Sequence, residues 1–198
     1  MSGTKWVVCI GTSTGGPGAL QKVLTKLPQS FPSPLFIVQH MPPKFTKALA
    51  ERLDHHSSIR VKEAEDGEMA QAGTAYIAPG GFQMTVSGIL TGIQLCVRSG
   101  AARAGHCPSV NELFDSAAKL KNFKKLAVIM TGMGSDGAEG LKALVESGNT
   151  YVVAESAASA VVFGMPRAAI ETIAVNEVLH VEEIGACLTD TITRSQRS

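Results

Sequence analysis

Short apolar runs alternate with apolar residues at helical spacing along most of the chain. The first run, residues 6–10, is rich in β-branched residues and ends in glycines, and a helical pattern follows from Pro17. Runs at residues 35–38 and 126–131 are likewise each followed by a turn and then by a helical pattern. A continuous apolar run of this length is typical of a buried strand, and the intervening pattern is typical of a helix with one apolar face. The pattern therefore predicts a sheet built from strand-helix-strand units.

The pattern changes between residues 59 and 97. Short runs at 74–78, 83–86 and 92–97 are separated by Gly and Pro turns, without room for helices, so we expect hairpin strands there. Strand and helix then alternate again to the end of the chain. The remaining predicted elements are helices near 45–53, 108–120, 141–148, 161–173 and 184–193, and strands at 151–154 and 178–181.

The turn after the first strand carries a chemically informative pattern. Residues 11–15 read Gly-Thr-Ser-Thr-Gly, which fits the G-x-S-x-G nucleophile elbow with Ser13 at its centre. A phosphate-binding Walker loop would need lysine after its second glycine, and Pro17 follows Gly16 instead. A dinucleotide-binding turn would place glycine where Ser13 stands. A serine that only caps the following helix remains an alternative.

Three side chains of complementary chemistry follow predicted strands. Ser13, His40 and Asp136 each lie in a turn of glycine or proline just past a strand-like run, and parallel strands bring such ends to one edge of a sheet. The three could form a hydrolytic triad of nucleophile, general base and orienting carboxylate, with the Thr14 N–H as an oxyanion donor. Taken singly, His40 could be a buried histidine bonded to backbone, and Asp136 could cap the next helix or bind a metal.

Composition narrows the classes of function. With 198 residues and 44% hydrophobic content, the chain predicts one domain over residues 1–198. The net charge of +1 without a basic stripe gives no support to nucleic-acid binding. No apolar run approaches the roughly twenty residues of a membrane span, and no secretory signal is visible. Four cysteines without a C-x-x-C pair predict free thiols in a reducing cytoplasm, with neither a metal nor a disulfide framework.

The loop that precedes the predicted helix at Pro108 is a candidate substrate rim. It carries Arg98, Arg103 and His106 among small residues. Cationic and imidazole side chains on a loop suit the binding of a polar substrate, although a plain solvated loop would have the same residue types.

Ordered motifs along nearly the whole chain resemble the catalytic domain of the chemotaxis receptor protein-glutamate methylesterases. The matching segments are residues 10–16, 39–43, 63–68, 76–80, 106–110, 131–138 and 162–167. The resemblance implies an α/β fold: a doubly wound, mainly parallel sheet with helices on both faces and an antiparallel hairpin.

The resemblance also implies the chemistry. Its catalytic residues fall on Ser13, His40 and Asp136, and it points to the Met133 backbone as an oxyanion donor beside Thr14. The implied reaction is cofactor-free hydrolysis of γ-glutamyl methyl esters on the cytoplasmic helices of chemoreceptors, without membrane insertion. It gives glutamate and methanol, and deamidation of receptor glutamines is a related activity in some members.

Two departures from the family pattern accompany the resemblance. Members usually carry an N-terminal receiver domain, which we do not expect in this chain. The rim commonly has arginine after the histidine and aspartate after Ser-Val, where this chain has Cys107 and Asn111, so the resemblance carries over the triad but not receptor recognition. Two other functions remain open: a phosphate- or nucleotide-binding module without chemistry, and an esterase that serves a different signalling system.

Overall fold

The structure is a computed structural model that describes residues 5–173 and 175–194. The predicted single domain, residues 1–198, reaches beyond these ranges and stays a prediction. The strands are β1 (Lys5–Thr12), β2 (Leu35–Gln39), β3 (Arg60–Glu63), β4 (Thr74–Ile77), β5 (Gln83–Ile89), β6 (Gly92–Arg98), β7 (Phe123–Ile129), β8 (Thr150–Glu155) and β9 (Glu177–Leu179). The helices are α1 (Gly16–Leu24), α2 (Phe45–His56), α3 (Val110–Ala118), α4 (Ala138–Glu146), α5 (Met165–Thr172) and α6 (Val181–Arg194).

Seven of these strands form one parallel sheet in the order β3-β4-β2-β1-β7-β8-β9. The central strand β1 has β2 on one side and β7 on the other, so the connections leave β1 in opposite directions across the sheet. In open α/β sheets this is the position where ligands bind, outside the carboxyl ends of the strands. A functional site is therefore expected at the turns that follow β1, β2 and β7.

Apolar side chains pack on both faces of the sheet, which confirms the doubly wound arrangement. Val8 and Ile10 of β1 belong to a buried cluster with apolar residues of α1, α2 and α6. Val7 and Cys9 alternate to the opposite face and join a cluster with α3, α4, α5 and the β5–β6 pair. A strand buried on both faces is apolar throughout, which explains the continuous run in the sequence.

The predicted hairpin exists, although it has fewer strands than expected. Strands β5 and β6 pair antiparallel as a separate two-stranded sheet that packs on α3. Residues 74–78 were expected in the hairpin as well, and this expectation is wrong, because β4 lies in the main sheet between β2 and β3. A short apolar run fits either sheet, and only its long-range partners decide between them.

The other sequence expectations of local structure are largely met. The helix predicted near residues 45–53 is α2; its first residue, Phe45, is 62% exposed, whereas Leu49 and Leu53 are buried. All four cysteines are free thiols, and burial raises the pKa of Cys9 to about 12. Within the described ranges, no helix is both long and apolar enough to cross a membrane.

Candidate active site

The carboxyl ends of β1 and β2 hold Ser13 and His40 side by side. Thr12 and Gln39 are partners in the parallel register, and the His40 N–H donates to the Thr12 carbonyl at 3.1 Å. The Gln39 side-chain amide donates to the backbone carbonyls of Ser13 and His40, at 2.9 and 3.0 Å. Neighbouring strands lie about 4.8 Å apart. The two residues therefore face the same small region at adjacent positions.

His40 pairs with the carboxylate that follows β7. Its Nε2 lies 2.7 Å from Asp136 Oδ2, and Nδ1 is buried without a hydrogen-bond partner. Because a carboxylate only accepts hydrogen bonds, the network assigns the proton to Nε2 and the lone pair to Nδ1. Ser13 Oγ makes no hydrogen bond within residues 5–173 and 175–194. The structure therefore has a hydrogen-bonded His40–Asp136 pair and, next to it, a serine hydroxyl without a partner in these ranges.

Asp136 sits on the N-terminus of α3. Besides His40, its two oxygens accept hydrogen bonds from Ser109 Oγ at 2.9 Å, Val110 N–H at 2.7 Å and Asn111 N–H at 3.1 Å. Burial by itself would raise the pKa of this carboxyl, but the His40 bond and these three donors outweigh it and hold the pKa below its usual value. Asp136 is therefore an ionised carboxylate at the positive end of a helix.

The Asn111 side chain caps the following helix, α4, as Asp136 caps α3. Its Oδ1 accepts hydrogen bonds from the backbone N–H groups of Gly137 and Gly140, at 3.0 and 2.8 Å, at the start of α4. Each of α3 and α4 is thus capped by a side chain from the other's N-terminal segment. Asn111, which departs from the common family residue, is thus buried, and its side-chain oxygen binds backbone N–H groups inside the protein.

Close packing joins the serine turn to the turn after β7. A Cβ on Gly132 would lie 2.8 Å from the Ser13 Cβ, so only glycine allows this approach. Thr131 links the two turns: its carbonyl accepts the Ser13 N–H at 2.9 Å, and its hydroxyl donates to the Thr14 carbonyl at 2.8 Å. The buried Glu155 in turn accepts the Thr131 N–H at 2.8 Å. The positions of the two turns are therefore set together.

The two predicted oxyanion donors flank the serine. Thr14 follows Ser13 in the chain, and Met133 follows Gly132, the glycine that lies against the Ser13 side chain. Within the described part of the chain, neither backbone N–H donates a hydrogen bond. The assignment of both groups as oxyanion donors stays a prediction.

The three predicted rim residues have different surroundings. The His106 ring stacks on the His40 ring with centroids 4.0 Å apart and 6° between the planes. The Arg103 guanidinium is engaged by acidic side chains of α3 and α4, namely Glu112 at 3.3 Å, Asp115 and Glu139 at 3.8 Å. Arg98 is exposed at the end of β6. Of these three rim residues, Arg98 is the one that presents a cation outside the ion pairs found in the described ranges.

His40, His106 and Asp136 are also the group that a metal ion could approach, since one ligand atom from each lies within 4.8 Å of the others. Their geometry does not fit a shared cation. The lone pairs of an imidazole lie in its ring plane, and two nearly parallel, stacked rings direct them along separate planes. Both carboxylate oxygens of Asp136 already accept two hydrogen bonds each. This set suits proton transfer better than metal binding.

Several residues support the site in ways that the sequence interpretation did not predict. Ser109, Asn111, Thr131, Gln39 and Glu155 hold the three predicted residues through the contacts described above. One signal was available, because Pro108-Ser109 before a helical pattern is typical of a helix start that binds an anion. The other four depend on long-range pairing, which no local pattern reveals.

Comparison with known proteins gives a consistent result. A family model described as CheB methylesterase matches residues 8–188. The chain is 50% identical over 190 residues to the protein-glutamate methylesterase/protein-glutamine glutaminase of Bacillus subtilis, covering 96% of this chain and 53% of the relative. The corresponding protein of Halalkalibacterium halodurans is 54% identical over 181 residues, with 91% and 52% covered. The chain thus spans about half the length of these curated relatives.

Among solved structures, the crystal structure of the Thermotoga maritima CheB methylesterase catalytic domain is similar with a TM-score of 0.90 and 40% sequence identity. The likeness covers 94% of this chain and 98% of that domain. At this identity and coverage, the similarity extends to the whole architecture of sheet, helices and hairpin.

Proposed function

The chain belongs to the CheB methylesterase family, and from this premise we propose that it hydrolyses γ-methyl esters of glutamate in chemoreceptor proteins and releases methanol. The observation that carries the proposal is the closed His40–Asp136 pair beside a free serine hydroxyl at one sheet edge. Ester hydrolysis needs a nucleophile, a base that is not protonated and a group that stabilises the charged base.

In the proposed first step, Ser13 Oγ attacks the ester carbonyl carbon while His40 Nδ1 takes the hydroxyl proton. The ring then carries protons on both nitrogens, and the ionised Asp136 at Nε2 stabilises this imidazolium. No hydrogen bond joins Ser13 and His40 among the described residues, and in free enzymes such contacts often tighten only when substrate binds. The buried, unpartnered Nδ1 is the acceptor available for that contact.

The carbonyl oxygen becomes an oxyanion, for which the N–H groups of Thr14 and Met133 are the proposed donors. Collapse of this intermediate breaks the bond to methoxide, which leaves as methanol with the proton from His40. Water then attacks the Ser13 acyl ester with the same base, and the glutamate side chain is released. Every proton transfer in the cycle passes through His40 Nδ1.

Exposed apolar side chains around this edge favour a protein substrate over a small ester. Phe45 and Phe82 are 62% and 43% exposed beside the turns that follow β2 and β4. Met133 and Val161 are 72% and 71% exposed beside the oxyanion turn and Gly15. Exposed apolar groups gathered around a polar site are typical of a protein-binding surface. We propose that they contact receptor residues next to the methylated glutamate.

Deamidation of receptor glutamine is a second proposed activity, favoured by the double name of the relatives, protein-glutamate methylesterase/protein-glutamine glutaminase. The same acyl-enzyme would form, with ammonia leaving in place of methanol. An amide nitrogen leaves less readily than methoxide, so it depends more strongly on the proton that His40 returns.

Methanol release from receptor-containing membranes with isotopically labelled methyl esters tests the proposal. The native protein should release labelled methanol, and Ser13→Ala should reduce the rate by at least 10³-fold with an unchanged circular dichroism spectrum. The control is Ser87→Ala, an exposed serine on β5 far along the hairpin. Equal release by native protein and Ser13→Ala would refute the nucleophile, and no release by either would favour a binding module. Release only from another methylated signalling protein would assign the esterase to a different system.

A further inference from the structure

The feature not used in the proposed reaction is the stacked pair of imidazoles. His106 covers one face of the His40 ring with a centroid separation of 4.0 Å and an interplanar angle of 6°. Aromatic rings at this separation and angle are in direct face contact. The contact joins the rim loop to the proposed base, so the loop touches a ring whose orientation decides where the serine proton goes.

The backbone around His106 is firmly held. Arg103 and His106 exchange two backbone hydrogen bonds of 3.0 and 2.9 Å, and the Gln83 side-chain amide donates to the His106 carbonyl at 3.1 Å. Gln83 Oε1 also accepts the Ser109 N–H at 2.8 Å, which ties this loop to the residue that bonds Asp136. The Arg103 ion pairs to α3 and α4 fix the other end of the turn. His106 is thus a fixed platform and not a mobile loop residue.

His40 needs such a platform because only one edge of its ring is fixed. Its side chain is held at Nε2 by Asp136, whereas Nδ1 has no partner. A ring held by one hydrogen bond can still turn about that nitrogen, and such a turn moves Nδ1 away from the serine. Contact over the ring face opposes this turn. Geometry errors of a few tenths of an ångström at a base are enough to slow proton transfer.

We propose that His106 is a positioning residue for His40: its uncharged ring fixes the direction of Nδ1 and accommodates the imidazolium that forms during ester hydrolysis. The inference rests on the proposed function. His106, predicted from the sequence as a substrate-rim residue, would then act on the proposed base His40 and not on the substrate.

The charge of His106 matters because the ring beside it becomes a cation. Burial is the main cause that lowers the pKa of His106, the neighbouring His40 lowers it further, and Asp136 beyond His40 opposes both. On the same loop, the Arg103 guanidinium is paired with three carboxylates, and burial raises the pKa of the adjacent Cys107 thiol. His106 is therefore neutral at pH 7, and its π face attracts a cationic partner. A second proton on the pair would repel the first.

The test compares His106→Phe and His106→Ala with the native protein in methanol release between pH 5 and pH 8. His106→Phe keeps an aromatic ring that cannot be protonated, so we expect less than a threefold loss of kcat at pH 8. Because no second proton can repel the first, we expect the acid limb to move to higher pH. His106→Ala removes the stack, and we expect kcat to fall at least tenfold across the range while KM changes less than twofold. His56→Phe, an exposed histidine at the end of α2, is the matched control.

A rise in KM without a fall in kcat in either variant would overturn the inference, because it would make His106 a substrate contact. A kcat of His106→Ala within twofold of the native value would also overturn it. NMR titration of the ring nitrogens gives a readout that needs no substrate. The neighbouring His40 lowers the pKa of His106, so we expect the pKa of His106 to be higher in His40→Gln than in the native protein. An unchanged pKa of His106 in His40→Gln would contradict the inference.

The two measurements separate this inference from the proposed function. If the native protein releases no methanol while His40→Gln raises the pKa of His106, the reaction is wrong and the stacked pair stands. If methanol release depends on Ser13 and not on His106, the reaction stands and the positioning role is wrong.

Discussion

The carboxylate on the α3 N-terminus allows a quantitative prediction for Asp136→Asn. The asparagine has the same shape, but it offers one acceptor oxygen and one NH2 group to four hydrogen-bond donors. If its oxygen takes the place of Oδ2, the NH2 faces the Asn111 N–H; if it takes the place of Oδ1, the NH2 faces the Val110 N–H. In either orientation, one buried backbone donor is left unpaired.

An unpaired buried donor costs about 1–3 kcal/mol, and loss of an anion from a helix N-terminus costs about 0.3–2 kcal/mol. We therefore expect Asp136→Asn to lower the free energy of unfolding by about 2–4 kcal/mol at pH 7. For a domain of this size, that corresponds to a fall in Tm of about 4–16 °C. The activity should fall further, by roughly 10³–10⁴-fold, because the asparagine no longer selects the histidine tautomer with a free Nδ1.

The pH dependence of the difference identifies its cause. The pKa of Asp136 is lowered in the folded protein, so its ionisation stabilises the fold above the unfolded value of about 3.9 and this contribution is lost as the pH falls through the folded pKa. Urea unfolding followed by circular dichroism should show a full gap between native protein and Asp136→Asn from pH 5 to 7, and a narrowing gap below about pH 4.

The control is Asp190→Asn, the same chemical change at an exposed carboxylate of α6, where we expect a change within about 0.5 kcal/mol. A difference of less than 1 kcal/mol for Asp136→Asn at pH 7 would refute the reasoning. A gap that stays constant down to pH 3 would show that lost packing, and not lost charge, is responsible.

Three further predictions concern the contacts that support the site. Asn111→Ala leaves two backbone donors of α4 unpaired and should lower the free energy of unfolding by about 2–4 kcal/mol in urea, whereas Asn111→Asp keeps an acceptor there and should lower it by less than about 1 kcal/mol. Gly132→Ala places a methyl group 2.8 Å from the serine Cβ, and methanol release should fall at least tenfold; Gly18→Ala, with nothing within 4 Å, should leave it unchanged. Glu155→Leu removes the acceptor of the Thr131 N–H and should cost about 1–3 kcal/mol in thermal unfolding, whereas Glu155→Gln retains an acceptor and should cost less than half of that value.

The parts of the site that follow strands were predictable because each depends on a local pattern. An apolar run that ends in glycine or proline identifies a strand end, and parallel strands share one edge, which is enough to associate Ser13 with His40. The resemblance strengthened the association with Asp136. Strand β4 shows the limit, because its short run carries no information about whether its partner is a hairpin neighbour or β2.

The rim could not be derived in the same way. Arg103 has the side chain of a substrate-binding residue, yet acidic groups from two helices surround it, and these become neighbours only after folding. Asn111 departs from the common family residue of the rim, yet its side chain lies inside the protein. Residue type predicts what a side chain can bind, and only tertiary structure decides which partner reaches it first.

The mutual capping of α3 and α4 has a consequence for how the chain folds. The side-chain hydrogen bonds that cap these two helices connect residues 25 to 29 positions apart, so both caps depend on partners that are distant in the sequence. Local helix formation and closure of a long loop must then occur in one cooperative event. The first-turn amides of both helices should exchange their hydrogens with a common opening free energy. Because Asp136 belongs to this link, we expect the His40–Asp136 hydrogen bond to form in the same step in which α3 and α4 cover that face of the sheet.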